Sequence, residues 1–145
     1  MADPFNLSRF VVAQDGPYET ALAELRAGRK QSHWMWFIFP QLRGLGRSPR
    51  AILYSIGSLE EARAYLAHPV LGSRLLLCTQ AVLAIEGRTL HEVFGSPDDA
   101  KFCSCMTLFA QATERDIGKP FRVALDRYCD GRMDPQTMVL LNSAK

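Results

Sequence analysis

Apolar positions recur three and four residues apart along almost the whole chain, which is the period of an amphipathic helix. Leu7, Phe10 and Val11, followed by Gln14, make the first such row; Tyr18, Ala21, Leu22 and Leu25 make the second. The longest runs through Leu71, Leu75, Cys78, Val82 and Ile85. Further rows are Phe102, Cys105, Met106 and Phe109, then Phe121, Ala124, Leu125 and Tyr128, then Met138 and Leu141. Six of the eight prolines stand where such rows begin: Pro4, Pro17, Pro69, Pro97, Pro120 and Pro135. Proline suits a first helical turn because its missing N–H would have no partner there. Gly28, Gly87 and Gly131 stand where rows end, as helix-closing glycines do. Two more starts read as capping boxes, Ser58 with Glu61 and Thr89 with Glu92.

Strand signals are sparse. The one β-like run, Trp34 to Phe39, lacks polar alternation, so a buried strand and a short buried helix fit it equally. Gly44 to Pro49 reads as a loop. No repeat, low-complexity segment or linker divides the chain. The pattern predicts an all-α fold, one compact domain over 1–145, with seven or eight mostly short helices in an irregular orthogonal array.

Length and composition agree with this reading. A chain of 145 residues with 48% hydrophobic and 22% charged residues is the size and make-up of one ordinary globular domain. The net charge of +2 is unevenly spread. Residues 25–59 hold Arg26, Arg29, Lys30, Arg43, Arg47 and Arg50 and no carboxylate, while the rest of the chain is net acidic. This asymmetry predicts a positive face. With a pI near 8.4 and an acidic remainder, nucleic acid is not the expected partner.

Cys78, Cys103, Cys105 and Cys129 include no C-x-x-C pair. The N-terminus reads MADPFNLSRF, with no long apolar stretch. The four cysteines therefore read as reduced, mostly buried thiols of a cytoplasmic protein, with no disulfide expected. Membrane spanning is not expected either, since Trp34–Phe39 is only six residues long and a span needs about 20. The three histidines form no metal pattern, no cofactor motif is present, and a monomer is expected.

Chemistry concentrates in residues 28–41, GRKQSHWMWFIFPQ, which hold both tryptophans. Core packing accounts for large aromatic side chains. It does not require Arg29, Lys30 and His33 immediately before them, or Gln41 after. An indole beside a guanidinium, an ammonium and an imidazole suits a planar anion: the ring stacks and the cation pairs. A second polar row, Asp98, Asp99, Lys101, Ser104 and Thr107, lies on an otherwise apolar helix pattern. Helix-dipole effects and hydroxyl-to-backbone bonding account for part of it.

These two stretches, together with Tyr65 to Leu75 and Val93-Phe94-Gly95, resemble a small bacterial family of unknown function whose members are often labelled calpastatin. The resemblance spans nearly the whole chain and implies a mainly α-helical single domain with no established activity. The label does not fit: an inhibitor of that type is a long disordered repeat chain, and this chain has no repeats.

Two functional readings follow. In one, Arg29, Lys30, Trp34, Trp36 and Gln41, joined by Lys101 and Ser104 where the segments meet, bind a small anionic or nucleotide-like ligand. In an enzymatic version His33 would be the general acid or base, since an unperturbed histidine titrates near neutral pH. The other reading is a protein–protein interaction module without catalysis, which would present its aromatic or basic residues on a surface with no concavity beside them.

Overall fold

The computed structural model describes residues 3–113 and 118–143. Among these are ten helices: α1 Ser8–Gln14, α2 Pro17–Arg26, α3 Met35–Ile38, α4 Pro49–Leu53, α5 Leu59–Ala67, α6 Leu71–Leu83, α7 Leu90–Phe94, α8 Asp98–Ala112, α9 Lys119–Tyr128 and α10 Pro135–Ser143. The count exceeds the seven or eight expected because of two short helices, α3 and α4. The ambiguous run from Trp34 to Phe39 holds α3. The segment read as a loop ends in α4, where the Ser48 hydroxyl accepts the Ala51 amide at 3.1 Å and Pro49 takes the first helical position.

The anticipated starts have local causes. The Asp3 carboxylate accepts the Leu7 and Ser8 amides at 2.8 and 3.1 Å, which sets α1 four residues later than Pro4 alone implied. Thr89 and Glu92 exchange bonds at 3.1 and 2.8 Å, a complete capping box for α7. At α5 only half the box forms. Ser58 accepts the Glu61 amide, but the Glu61 carboxylate takes the Gly57 amide and the Arg9 guanidinium instead.

α8 is the central element. Phe102, Cys105, Met106, Leu108, Phe109 and Ala110 are buried around nearly its whole circumference, because α9, α5, α7 and α10 surround it. α6 packs on α2, α5 and α9, and α1 packs on α2 and α3. One cluster of buried side chains draws on α1 to α3 and α5 to α9. Within it Trp34, Phe39, Phe94 and Phe102 interlock with ring centroids 5.1–6.4 Å apart. A second chain of rings runs from Phe10 through Tyr65 and Phe109 to Phe121.

Among the described residues extended pairing is limited to a single parallel bridge between Leu42 and Ile56. Its bonds, Ile56 N–H to Gln41 and Arg43 N–H to Ile56, each 2.8 Å, pin both ends of the basic loop. α5 and α6 meet at 89°. Gly72 allows that corner: a Cβ there would lie 2.1 Å from the Leu66 carbonyl oxygen. No single helix among the described residues is long and apolar enough to cross a membrane.

The cysteine expectation is corrected. Cys103 and Cys129 form a disulfide, leaving Cys78 and Cys105 as buried free thiols. Cys103 lies on the side of α8 that faces the end of α9, and Cys129 caps that end, so the fold brings their Cα atoms to 6.0 Å across 26 residues of sequence. With that pair bonded, the cysteines do not indicate a reducing compartment.

Candidate functional site

The stretch 28–41 leaves α2 through Gly28, whose φ of 79° is open to glycine. The Lys30 amide donates to the Val93 carbonyl at 2.7 Å, tying the strand of chain to α7. Glu24 then folds the turn. Its carboxylate accepts the Gln31 and Ser32 amides, the Ser32 hydroxyl and the Trp34 Nε1. Burial alone would raise the Glu24 pKa, but these donors outweigh it and hold the group down to about 2.

This turn drives the Trp34 indole inward, where it is 1% exposed. The Lys30 side chain lies against it, its Nζ 5.0 Å from the ring centroid. The same ammonium pairs with Asp98 at 2.9 Å and donates to the Ser32 carbonyl at 2.6 Å. Asp98 opens α8, so this pair joins the 28–41 stretch to the second polar cluster. Asp98 also lies 3.6 Å from Lys101. Lys101 in turn reaches the half-buried indole of Trp36, with Nζ 5.7 Å from its centroid, and the exposed Arg50 guanidinium approaches the same ring at 5.3 Å. Trp36, Gln41, Tyr54 and Lys101 line a crevice of about 10 Å³, room for one water.

The eight residues singled out by sequence are thus divided. Lys30, Trp36, Gln41 and Lys101 gather around the junction of α3 and α8. Trp34 belongs to the core and offers no face to a cleft. Ser104 is buried, and its hydroxyl donates to the Ala100 carbonyl at 3.1 Å, an ordinary i to i−4 bond. Arg29 and His33 are exposed, and His33 makes no hydrogen bond or ion pair among the described residues. The sequence marks Arg50 only as part of the basic interval. Its place over Trp36 depends on α4, which the sequence reading missed.

A larger concavity lies elsewhere. A groove of about 510 Å³ runs between α7, α8 and the α9–α10 turn, lined by His91, Asp99, Asp130, Arg132, Asp134 and the Cys103–Cys129 disulfide. His91 Nδ1 is 3.2 Å from Asp99. The free thiols are inert by comparison. Burial pushes the Cys78 thiol up to about 12, and the wholly buried Cys105 is also raised. Among the described residues no three His, Cys, Asp or Glu side chains converge as a metal site.

The sequence profile of a family described as protein of unknown function, DUF1810, matches residues 4–141. Among solved structures, the chain is similar to the conserved hypothetical protein Rv1873 from Mycobacterium tuberculosis. The two are 56% identical and superpose with a TM-score of 0.94, over 97% of this chain and 99% of that one. No curated protein matches the chain. The resemblance read from the sequence and the family found are therefore both families of unknown function, with the same all-helical fold.

Proposed function

We propose a role for this chain, which belongs to the DUF1810 family of proteins of unknown function: it binds a small anionic ligand on the face centred on Trp36. One observation carries the reading. The half-buried indole is approached by both Arg50 and Lys101, at 5.3 and 5.7 Å, while Asp98, the one carboxylate among the described residues that pairs with this cluster, is shared between Lys101 and Lys30. The cluster therefore has more cationic charge than its own counter-charge satisfies. A phosphate or carboxylate would pair with Arg50 and Lys101, and a planar group attached to it would lie on the indole. Because the crevice beside Trp36 is so small, the ligand rests on the face and is not enclosed.

A protein partner is the second reading. It is favoured by Ile52 and Leu53, each 53% exposed on α4 next to Arg50. An acidic peptide segment with apolar residues would match such a surface.

Tryptophan emission separates these. Trp34 is buried and Trp36 is not, so titration with inorganic phosphate and adenosine triphosphate at low salt should change the Trp36 component. Trp36→Phe should abolish the response, and Arg50→Ala with Lys101→Ala should weaken it. No response to either anion would overturn the small-ligand reading. A response lost on Ile52→Ser as fully as on Arg50→Ala would point to the apolar partner surface.

A further inference from the structure

We propose that the groove between α8 and the α9–α10 turn is a thiol-exchange site, where a small neutral or cationic thiol opens and recloses the Cys103–Cys129 disulfide. Among the four cysteines only the disulfide pair faces a concavity: both its members are half-buried and line the groove, while Cys78 and Cys105 are sealed in the core. An attacking thiolate needs such an approach.

The surroundings let the bond open without dismantling the fold. Cys129 lies beyond the last turn of α9, whose docking on α8 rests on buried Phe121, Ala124 and Leu125. The turn has a second tie to α8. The Asp134 amide donates to Thr107 Oγ1 at 2.8 Å, and that hydroxyl donates to the Cys103 carbonyl at 2.8 Å. Breaking the S–S bond therefore releases one link between the turn and α8, while the Asp134–Thr107 bond and the Gln111 side-chain amide donating to Met133 Sδ at 3.9 Å hold the sulfurs near enough to rejoin.

Charge selects the thiol. Asp99, Asp130 and Asp134 face the groove against Arg132 and His91, and Asp99 already partners His91. The net negative field repels an anionic thiolate carrier and favours one that also bears an ammonium.

The chemistry balances with the thiol as reductant. RSH gives its proton to water, and RS⁻ attacks one sulfur to form a mixed disulfide. The S–S electron pair leaves on the other cysteine, which takes up a proton. A second RS⁻, formed when another RSH loses its proton to water, attacks the RS sulfur of the mixed disulfide; RSSR departs, and the electron pair leaves on the second cysteine, which takes up a proton. Two electrons pass from two RSH to the disulfide, and a small disulfide RSSR reverses the sequence.

The test uses the full chain, isolated without reductant. It is exposed under native conditions to cysteamine, 2-mercaptoethanol or 2-mercaptoethanesulfonate at equal thiolate concentration. Each rate is divided by that thiol's rate with 2-hydroxyethyl disulfide, an uncharged reference. Opening is read by alkylation and peptide mass. Cys103 and Cys129 should become labelled while Cys78 and Cys105 do not, with the helical circular dichroism kept. The normalised rate for cysteamine should exceed that for 2-mercaptoethanesulfonate by about three- to tenfold, and the ratio should fall toward one in ~0.5 M salt. Asp130→Asn should also shrink it, and asparagine tolerates the left-handed backbone at this position, φ 57°. Equal normalised rates for the three thiols would overturn the charged-groove proposal. So would opening that proceeds no faster than global unfolding, labelling of all four cysteines together, or four free thiols in the denatured, unreduced chain.

Discussion

The Lys30 ammonium lies 2.9 Å from the Asp98 carboxylate, and the lysine side chain is only 8% exposed. This pair is the bond between two sequence segments 68 positions apart, and it holds Lys101 and Trp36 in one neighbourhood. A charge so enclosed is costly to leave alone. Asp98→Asn should therefore destabilise by about 2–3 kcal/mol, somewhat below a fully buried pair because Ser32 still accepts from Lys30. Lys30→Met combined with Asp98→Asn should cost less than the sum of the two single changes. Urea unfolding of the four chains checks the cycle, and additive costs would show the pair to be uncoupled.

Gly72→Ala tests the α5–α6 corner. The added methyl would meet the Leu66 carbonyl oxygen at 2.1 Å, and that neighbour is backbone, which cannot rotate away. The helix propensity of alanine would otherwise favour the change by up to about 1 kcal/mol. The clash should reverse that sign and cost about 2–3 kcal/mol. A raised midpoint in thermal unfolding would show that the corner relaxes freely.

Gln14 is the polar member of an otherwise apolar helical row, and its burial gives it a task. Nε2 donates to the Phe37 carbonyl at 2.7 Å and to the Tyr65 hydroxyl at 3.1 Å. Phe37 lies in the four-residue α3, too short to satisfy its own last carbonyls. Gln14→Leu orphans that carbonyl and should cost about 2 kcal/mol, while Tyr65→Phe leaves it bonded and should cost about 1 kcal/mol or less. Denaturant midpoints in the opposite order would contradict this division of labour.

What the sequence made legible was local. Pro17, Pro97, Pro120 and Pro135 mark real helix starts because their effect on the backbone needs no distant partner. Ser48-Pro49 carried the same signal, but two glycines just before it masked α4, and with it the position of Arg50 over Trp36. The disulfide was not legible, since only the packing of α9 on α8 brings Cys103 and Cys129 together. The attraction of Arg29, Lys30 and His33 to one site came from adjacency in sequence. The turn that Glu24 organises sends Lys30 inward and leaves Arg29 and His33 outside.

Glu24 makes that turn sensitive to acid. Its folded pKa, held down to about 2 by the Ser32, Gln31 and Trp34 donors against the opposing effect of burial, lies below the ordinary value of 4.5. A lowered carboxyl pKa contributes stability that is fully present above the unfolded value and is lost as pH falls through the folded one. The Glu24 contribution should therefore be constant above about pH 5 and decline between roughly pH 4.5 and 2. Glu24→Gln keeps one acceptor oxygen for Trp34 or the amides and removes the charge. It should lower stability at pH 7 by about 1–2 kcal/mol, since water still reaches and screens the carboxylate. The variant should also lose less stability than the parent between pH 4.5 and 2, so that the two unfolding curves converge toward the acid end. Tryptophan emission follows both, because Trp34 Nε1 is bonded to the titrating group at 2.9 Å. Parallel curves, with the gap unchanged from pH 7 to pH 2, would mean that Glu24 stabilises the turn by shape and not by charge.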